Sequence, residues 1–132
     1  MSLLSRVATA LTVFVALQHL GFFVLESFLW TSPVGLAVFE QTADQAAQTA
    51  VLARNQGVYN AFLSVGLLWS TWGVPDPSHA RQTRLFFLGC VVVAGLVGGF
   101  TASPVILLVQ ALPALLAVGA TVATGRSMDR PV

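Results

Sequence analysis

The chain has 132 residues, 56% hydrophobic and 8% charged, with a formal net charge of +1. That length fits one domain, and so few charges cannot clothe a water-exposed surface, which ordinarily carries roughly a quarter to a third charged residues. Disorder is excluded by the same composition, nucleic-acid binding by scattered arginines without any lysine, and a disulfide framework or cysteine-built zinc site by Cys90 standing alone.

Four stretches approach the ~20 apolar residues that cross the hydrocarbon of a bilayer. They are 7–30, 51–72, 85–100 and 104–124. They predict an all-α protein, an integral membrane four-helix bundle forming a single membrane domain over 1–132. Arg6 ahead of the first run resembles the start of a secretory signal. The run is too long, however, and lacks a clean cleavage site, so it reads as a retained span.

Between the first two spans, Ser32-Pro33 predicts an N-cap and first helical residue, opening a short helix through Phe39. Thr42 and Gln45 have capping-box spacing and predict a helix that runs on into the second span. Together these pieces predict a short interfacial helical hairpin on the outer side. The segment 73–84 reads as a loop, with His79 solvated in it and Arg84 flanking the third span. Gly95-x-x-x-Gly99 in that span predicts close helix contact, inside the chain or in a homo-oligomer. Ser103-Pro104 opens the fourth span, and Pro113 inside it predicts a kink.

Arginine placement gives direction. Arg6, Arg81, Arg84, Arg126 and Arg130 share one side, and Glu40 and Asp44 lie on the other. Positive charge stays in the cytoplasm, which places both termini there in a multi-pass plasma-membrane protein. Trp30 then marks the outer interface, with Trp69 and Trp72 at the inner one.

Strongly polar side chains are costly in hydrocarbon and mark sites. Here they are His19 and Glu26 in the first span, Asn55, Gln56, Tyr59 and Asn60 in the second, and Gln110 in the fourth. Near-whole helical turns put Thr12, His19, Glu26 and Trp30 on one stripe. At about 1.5 Å per residue, Glu26 lies ~6 Å and His19 ~16 Å below Trp30, while Asn55 lies ~6 Å, Gln110 ~9 Å and Asn60 ~13 Å deep. All seven occupy the outer half of the bilayer, and they predict a polar pocket open to the outer face. Two plainer readings stand beside it: hydrogen-bonding between helices, and an ion pair of Glu26 with Arg54 at nearly the same depth.

The run Arg54-Asn55-Gln56-Gly57-x-Tyr59-Asn60, with His19, Glu26-x-Phe28-x-Trp30 and Gln110-x-x-Pro113-Ala114, resembles a family of small bacterial four-span membrane proteins classed as a domain of unknown function. The likeness covers nearly the whole chain. It implies a membrane protein and no particular activity. More loosely, His and Glu on one span with Asn and Trp elsewhere is similar to the emopamil-binding-type sterol isomerases, without a residue-by-residue motif.

A small amphiphilic or lipophilic ligand is the partner these residues suit, with the bilayer itself. Glu26 as acid or base and His19 as its partner suit isomerisation, hydration or epoxide-type chemistry. Asn55, Gln56, Tyr59, Asn60 and Gln110 would orient the ligand, and Trp30 would face a developing cation. One His and one Glu are too few to hold a metal, and no cofactor is implied. Proton-linked transport, a channel subunit and a non-catalytic accessory role are the alternatives.

Overall fold

The structure is a computed structural model and describes residues 2–128. Arg130 and the side chain of Arg126, both used to orient the termini, lie outside the described residues. Helices α1 (Leu3–Phe28), α2 (Pro33–Val38), α3 (Ala43–Trp72) and α4 (Pro77–Thr101) are followed by a π-helical turn, Leu107–Ala111, and α5 (Leu112–Met128). No strand occurs among the described residues. Three helical stretches, Leu3–Phe28, Pro77–Thr101 and Leu107–Gly125, are long and apolar enough to cross a membrane. The expected second span is not among them, because Arg54, Asn55, Gln56 and Asn60 dilute the apolarity of α3.

The chain forms two compact units. One comprises the described residues of 1–16 and 65–132. Apart from Leu67 and Leu88, its buried positions are small or slim, among them Ala8, Thr12, Val15 and Ala16 on α1, and Ala111, Ala114, Ala117 and Thr121 toward the chain's end. Leu88, Val91, Gly95 and Gly99 form the buried stripe of α4. A Cβ on Gly95 would lie 2.8 Å from the Ala111 backbone nitrogen, and one on Gly99 would overlap the Leu107 side chain. The glycine face predicted for close contact is thus filled by residues of its own chain, as small-residue packing between membrane helices would have it. Large apolar side chains point outward instead, Phe100 at 80% exposure and Trp72 at 70%. A core of small residues beneath an apolar exterior is the arrangement of helices that sit in lipid.

Two expectations for this unit are corrected. Helix α4 begins at Pro77, so the presumed loop 73–84 is largely helical. Asp76 caps it by accepting the His79 N–H at 2.7 Å, and Pro77 fills the first helical position, where its missing N–H costs nothing. His79 belongs to that first turn, exposed and 3.3 Å from Asp76. Ahead of Pro113 the helix widens, and the Leu112 N–H donates to the Leu107 carbonyl five residues back. Pro113 has no N–H with which to continue the ordinary ladder, and the π turn absorbs that break.

The other unit spans Leu17–Ser64. Helix α1 stops at Phe28, short of the expected Trp30, because Ser32 starts a new helix almost at once. Its hydroxyl donates to the Leu29 carbonyl at 2.7 Å and accepts the Gly35 N–H at 3.2 Å. The predicted capping box at the start of α3 is present. The Thr42 N–H donates to Gln45 Oε1 at 2.9 Å and the Gln45 N–H to Thr42 Oγ1 at 3.2 Å. Helix α2 closes at Phe39 with the Gln41 N–H reaching back to the Leu36 carbonyl. That closure holds Glu40 at a φ of 51°, a left-handed conformation usually given to glycine. Glu40→Gly should therefore stabilise the protein by about 1 kcal/mol of relieved strain, read as a raised thermal unfolding midpoint.

Candidate functional site

Within the unit Leu17–Ser64, α3 turns a stripe of small residues inward: Ala46, Ala53, Gly57, Asn60 and Ser64 are all buried. Their spacings of seven, four, three and four residues keep them on one helical face. Gly57 lets α1 come against this face. A Cβ there would overlap Ser27 Oγ and stand 3.2 Å from both Glu26 Cβ and the Phe23 carbonyl. Ser27 Oγ also donates to the Arg54 carbonyl at 3.5 Å. One turn further along, Asn60 Nδ2 donates to Glu26 Oε2 at 2.7 Å, with Asn60 only 6% exposed. A carboxylate and an amide are therefore paired directly at a helix contact that glycine makes possible.

The remaining predicted site residues spread out. His19 is fully buried, with its ring edge-on to Phe22 at 5.4 Å. It lies seven residues before Glu26, roughly 10 Å along the helix axis. Trp30 sits in the turn after α1 and serves as a hub of local structure. Its Nε1–H donates to Thr49 Oγ1 at 3.1 Å, its carbonyl accepts from Gln41 Nε2 at 3.4 Å, and its ring lies 4.5 Å from Phe39. Gln56 and Tyr59 are exposed, and the Tyr59 ring meets only Phe62, edge-on at 6.1 Å, among the aromatic contacts of the described residues. Gln110 belongs to the other unit, where its amide reaches the Val91 carbonyl at 3.5 Å.

Arg54 is exposed, and among the described residues no ion pair joins it to Glu26. Glu26 has Asn60 instead. Arg54 borders two shallow hollows, one of about 350 Å³ with Phe23, Ser27, Phe28 and Val58, the other of about 280 Å³ with Val51, Asn55 and Val58. They share Arg54 and Val58, which sit one turn apart on α3. No group of three or more His, Cys, Asp or Glu suited to a metal occurs among the described residues. The part played by Ser27 and Gly57 is announced in the sequence only by the small-xxx-small spacing of Ala53 and Gly57.

Residues 13–122, which contain the Glu26–Asn60 contact and both hollows, match the model of the family described as protein of unknown function DUF1304. The chain belongs to this family. It is also similar to the uncharacterised protein YpaA of Lactococcus lactis subsp. lactis, at 29% identity over 110 residues, 82% of this chain and 90% of that one. No solved structure matches the chain. The family resemblance read from the Asn-Gln-Gly-x-Tyr-Asn run is thereby established, while the looser likeness to sterol isomerases finds no support in these matches.

Two glycines on these helices make a contrasting pair. Gly57→Val should destabilise the protein by about 1–3 kcal/mol, since overpacking forces α1 from α3. Gly21→Ala, which meets nothing within 4 Å, should be neutral or stabilise by up to about 1 kcal/mol through helix propensity. Unfolding of both variants in one detergent compares them directly.

Proposed function

We propose that this chain is a four-span plasma-membrane protein, with both termini cytoplasmic, that binds a small amphiphilic molecule bearing an anionic head. Three apolar helices support the membrane placement. Helix α3 supplies the fourth span, since its 30 residues reach roughly 45 Å at 1.5 Å per residue. Its Arg54 then lies toward the outer end. In that setting α2 and the first turns of α3 form a helical hairpin at the outer interface, tied down by Trp30. Placement of Arg6, Arg81 and Arg84 away from Glu40 and Asp44 supports the orientation.

The observation that carries the binding reading is the pair of hollows around Arg54. Arg54 lines both, with Phe23 and Phe28 in one, Val51 in the other, and Val58 common to the two. Such a site takes a carboxylate or similar head on the fork of Arg54 and lays an apolar tail along the walls. Asn55 lies beside it and adds a polar contact to the head. Glu26 and Asn60 then act as the fastening that holds α1 and α3 together beneath the groove. Glu26 is engaged by Asn60, and His19 lies two turns away, which supports ligand binding over proton exchange between the two.

Native mass spectrometry from a nonionic detergent, with lauric acid and dodecylamine offered at equal concentration, tests this. The wild-type chain should retain the acid in preference to the amine. Arg54→Gln should cut the retained acid about tenfold, the scale of a lost charge-assisted hydrogen bond. Equal retention of acid and amine, or an undiminished acid adduct in Arg54→Gln, would refute the reading.

A further inference from the structure

A second polar concentration lies wholly within the unit formed by residues 1–16 and 65–132, and the groove at Arg54 makes no use of it. A cavity of about 500 Å³ is lined by Arg81 and Arg84, with hydroxyls that include Ser5, Thr9, Thr71 and Thr121. These residues come from within about two turns of helix ends: the starts of α1 and α4, the ends of α3 and α5. The cap at Asp76 starts α4 early enough to make Arg81 and Arg84 helical, and three residues apart they share a face.

Arg81 is held in place. Its Nε–H donates to the Thr121 carbonyl at 3.3 Å, and its guanidinium lies against Gly125, where a Cβ would come 2.6 Å from Cζ. Arg84 is different, because its Nε is buried with no hydrogen-bond partner among the described residues. Thr121 shares that condition. It is 1% exposed, and its Oγ1 likewise has no partner among them. A buried donor left unmade carries a desolvation penalty, larger for a charged group. None of the described residues lining the cavity is acidic. Two guanidiniums and a ring of hydroxyls make a donor-rich site with no carboxylate to balance its charge, the reverse of what a cation needs.

We propose that this cavity binds a phosphate-bearing anion. The planar forks of Arg81 and Arg84 suit two oxygens of a tetrahedral group, and the Thr121 hydroxyl and Arg84 Nε gain the acceptor they lack. The source is either a free phosphate or the headgroup of an anionic phospholipid, whose phosphate lies at the level of helix ends in a membrane.

The test uses the full chain purified in nonionic detergent, with two probes. Inorganic phosphate is titrated against chloride at matched ionic strength, following the thermal midpoint. Phosphatidylglycerol and phosphatidylcholine are offered in native mass spectrometry. A saturable stabilisation by phosphate assigns a free anion, and selective retention of phosphatidylglycerol without it assigns a headgroup; either supports the site. In both cases Arg84→Gln should weaken the response about tenfold. Thr121→Val is the second variant, nearly isosteric and suited to an apolar wall, so it should fold. It should weaken binding several-fold, because its hydroxyl meets the ligand. Absence of response to either probe, or wild-type binding in both variants, would overturn the proposal. The Arg54→Gln variant should respond like wild type, which separates this site from the groove.

Discussion

Between residues 17 and 64 the structure depends on how closely two helix backbones approach. Gly57 has no side chain to hold α1 away, so Ser27, Glu26 and the Phe23 carbonyl come directly against α3. Only at that separation does the short Asn60 side chain span the gap to Glu26 at 2.7 Å. The larger hollow beside Arg54 is a consequence of the same approach, since Phe23, Ser27 and Phe28 of α1 form its walls only while α1 lies on α3. Glycine supplies the contact, and the amide–carboxylate pair gives it a register. Apolar contacts alone would leave the helices freer to slide, because they are non-directional.

The same economy of small side chains governs the unit of α4, the π turn and α5. Gly95 and Gly99 receive Ala111 and Leu107, and Gly125 receives the flat face of Arg81. Apart from Leu67 and Leu88, most of the bulk is kept for the exterior, where phenylalanine, leucine and tryptophan are exposed. In water that distribution would be unstable, since burial of apolar area is the main force holding a soluble fold. In hydrocarbon it is favourable, because close packing and satisfied polar groups are what remain to hold helices together.

Local signals were the most legible in the sequence. Ser32-Pro33 and the Thr42–Gln45 box each encode a helix start through neighbouring atoms, and both are found with the predicted bonds. The start of α4 was misplaced because apolarity defined the span, although Asp76-Pro77 carries an equally local signal. The π turn depends on how the chain accommodates Pro113, a choice no residue pattern announces. For the polar residues, depth was read but direction was not. At 100° per residue, Asn55, Gln56, Tyr59 and Asn60 span a wide arc; Asn60 alone shares the face of Gly57, and the other three are exposed. The charges of Arg81 and Arg84 signal topology and do not announce what their side chains meet. Thr121, some 40 residues from Arg81, meets it through packing that sequence distance conceals.

The most direct test of this account is a double-mutant cycle on Glu26 and Asn60. Reversible unfolding of wild type, Glu26→Ala, Asn60→Ala and the double variant, measured in mixed micelles, isolates the energy of their contact. A coupling of about 1 kcal/mol or more, the scale of a hydrogen bond to a charged group, is the predicted result. Additive losses with no coupling would contradict the account, because α1 and α3 would then be held together by something other than this pair.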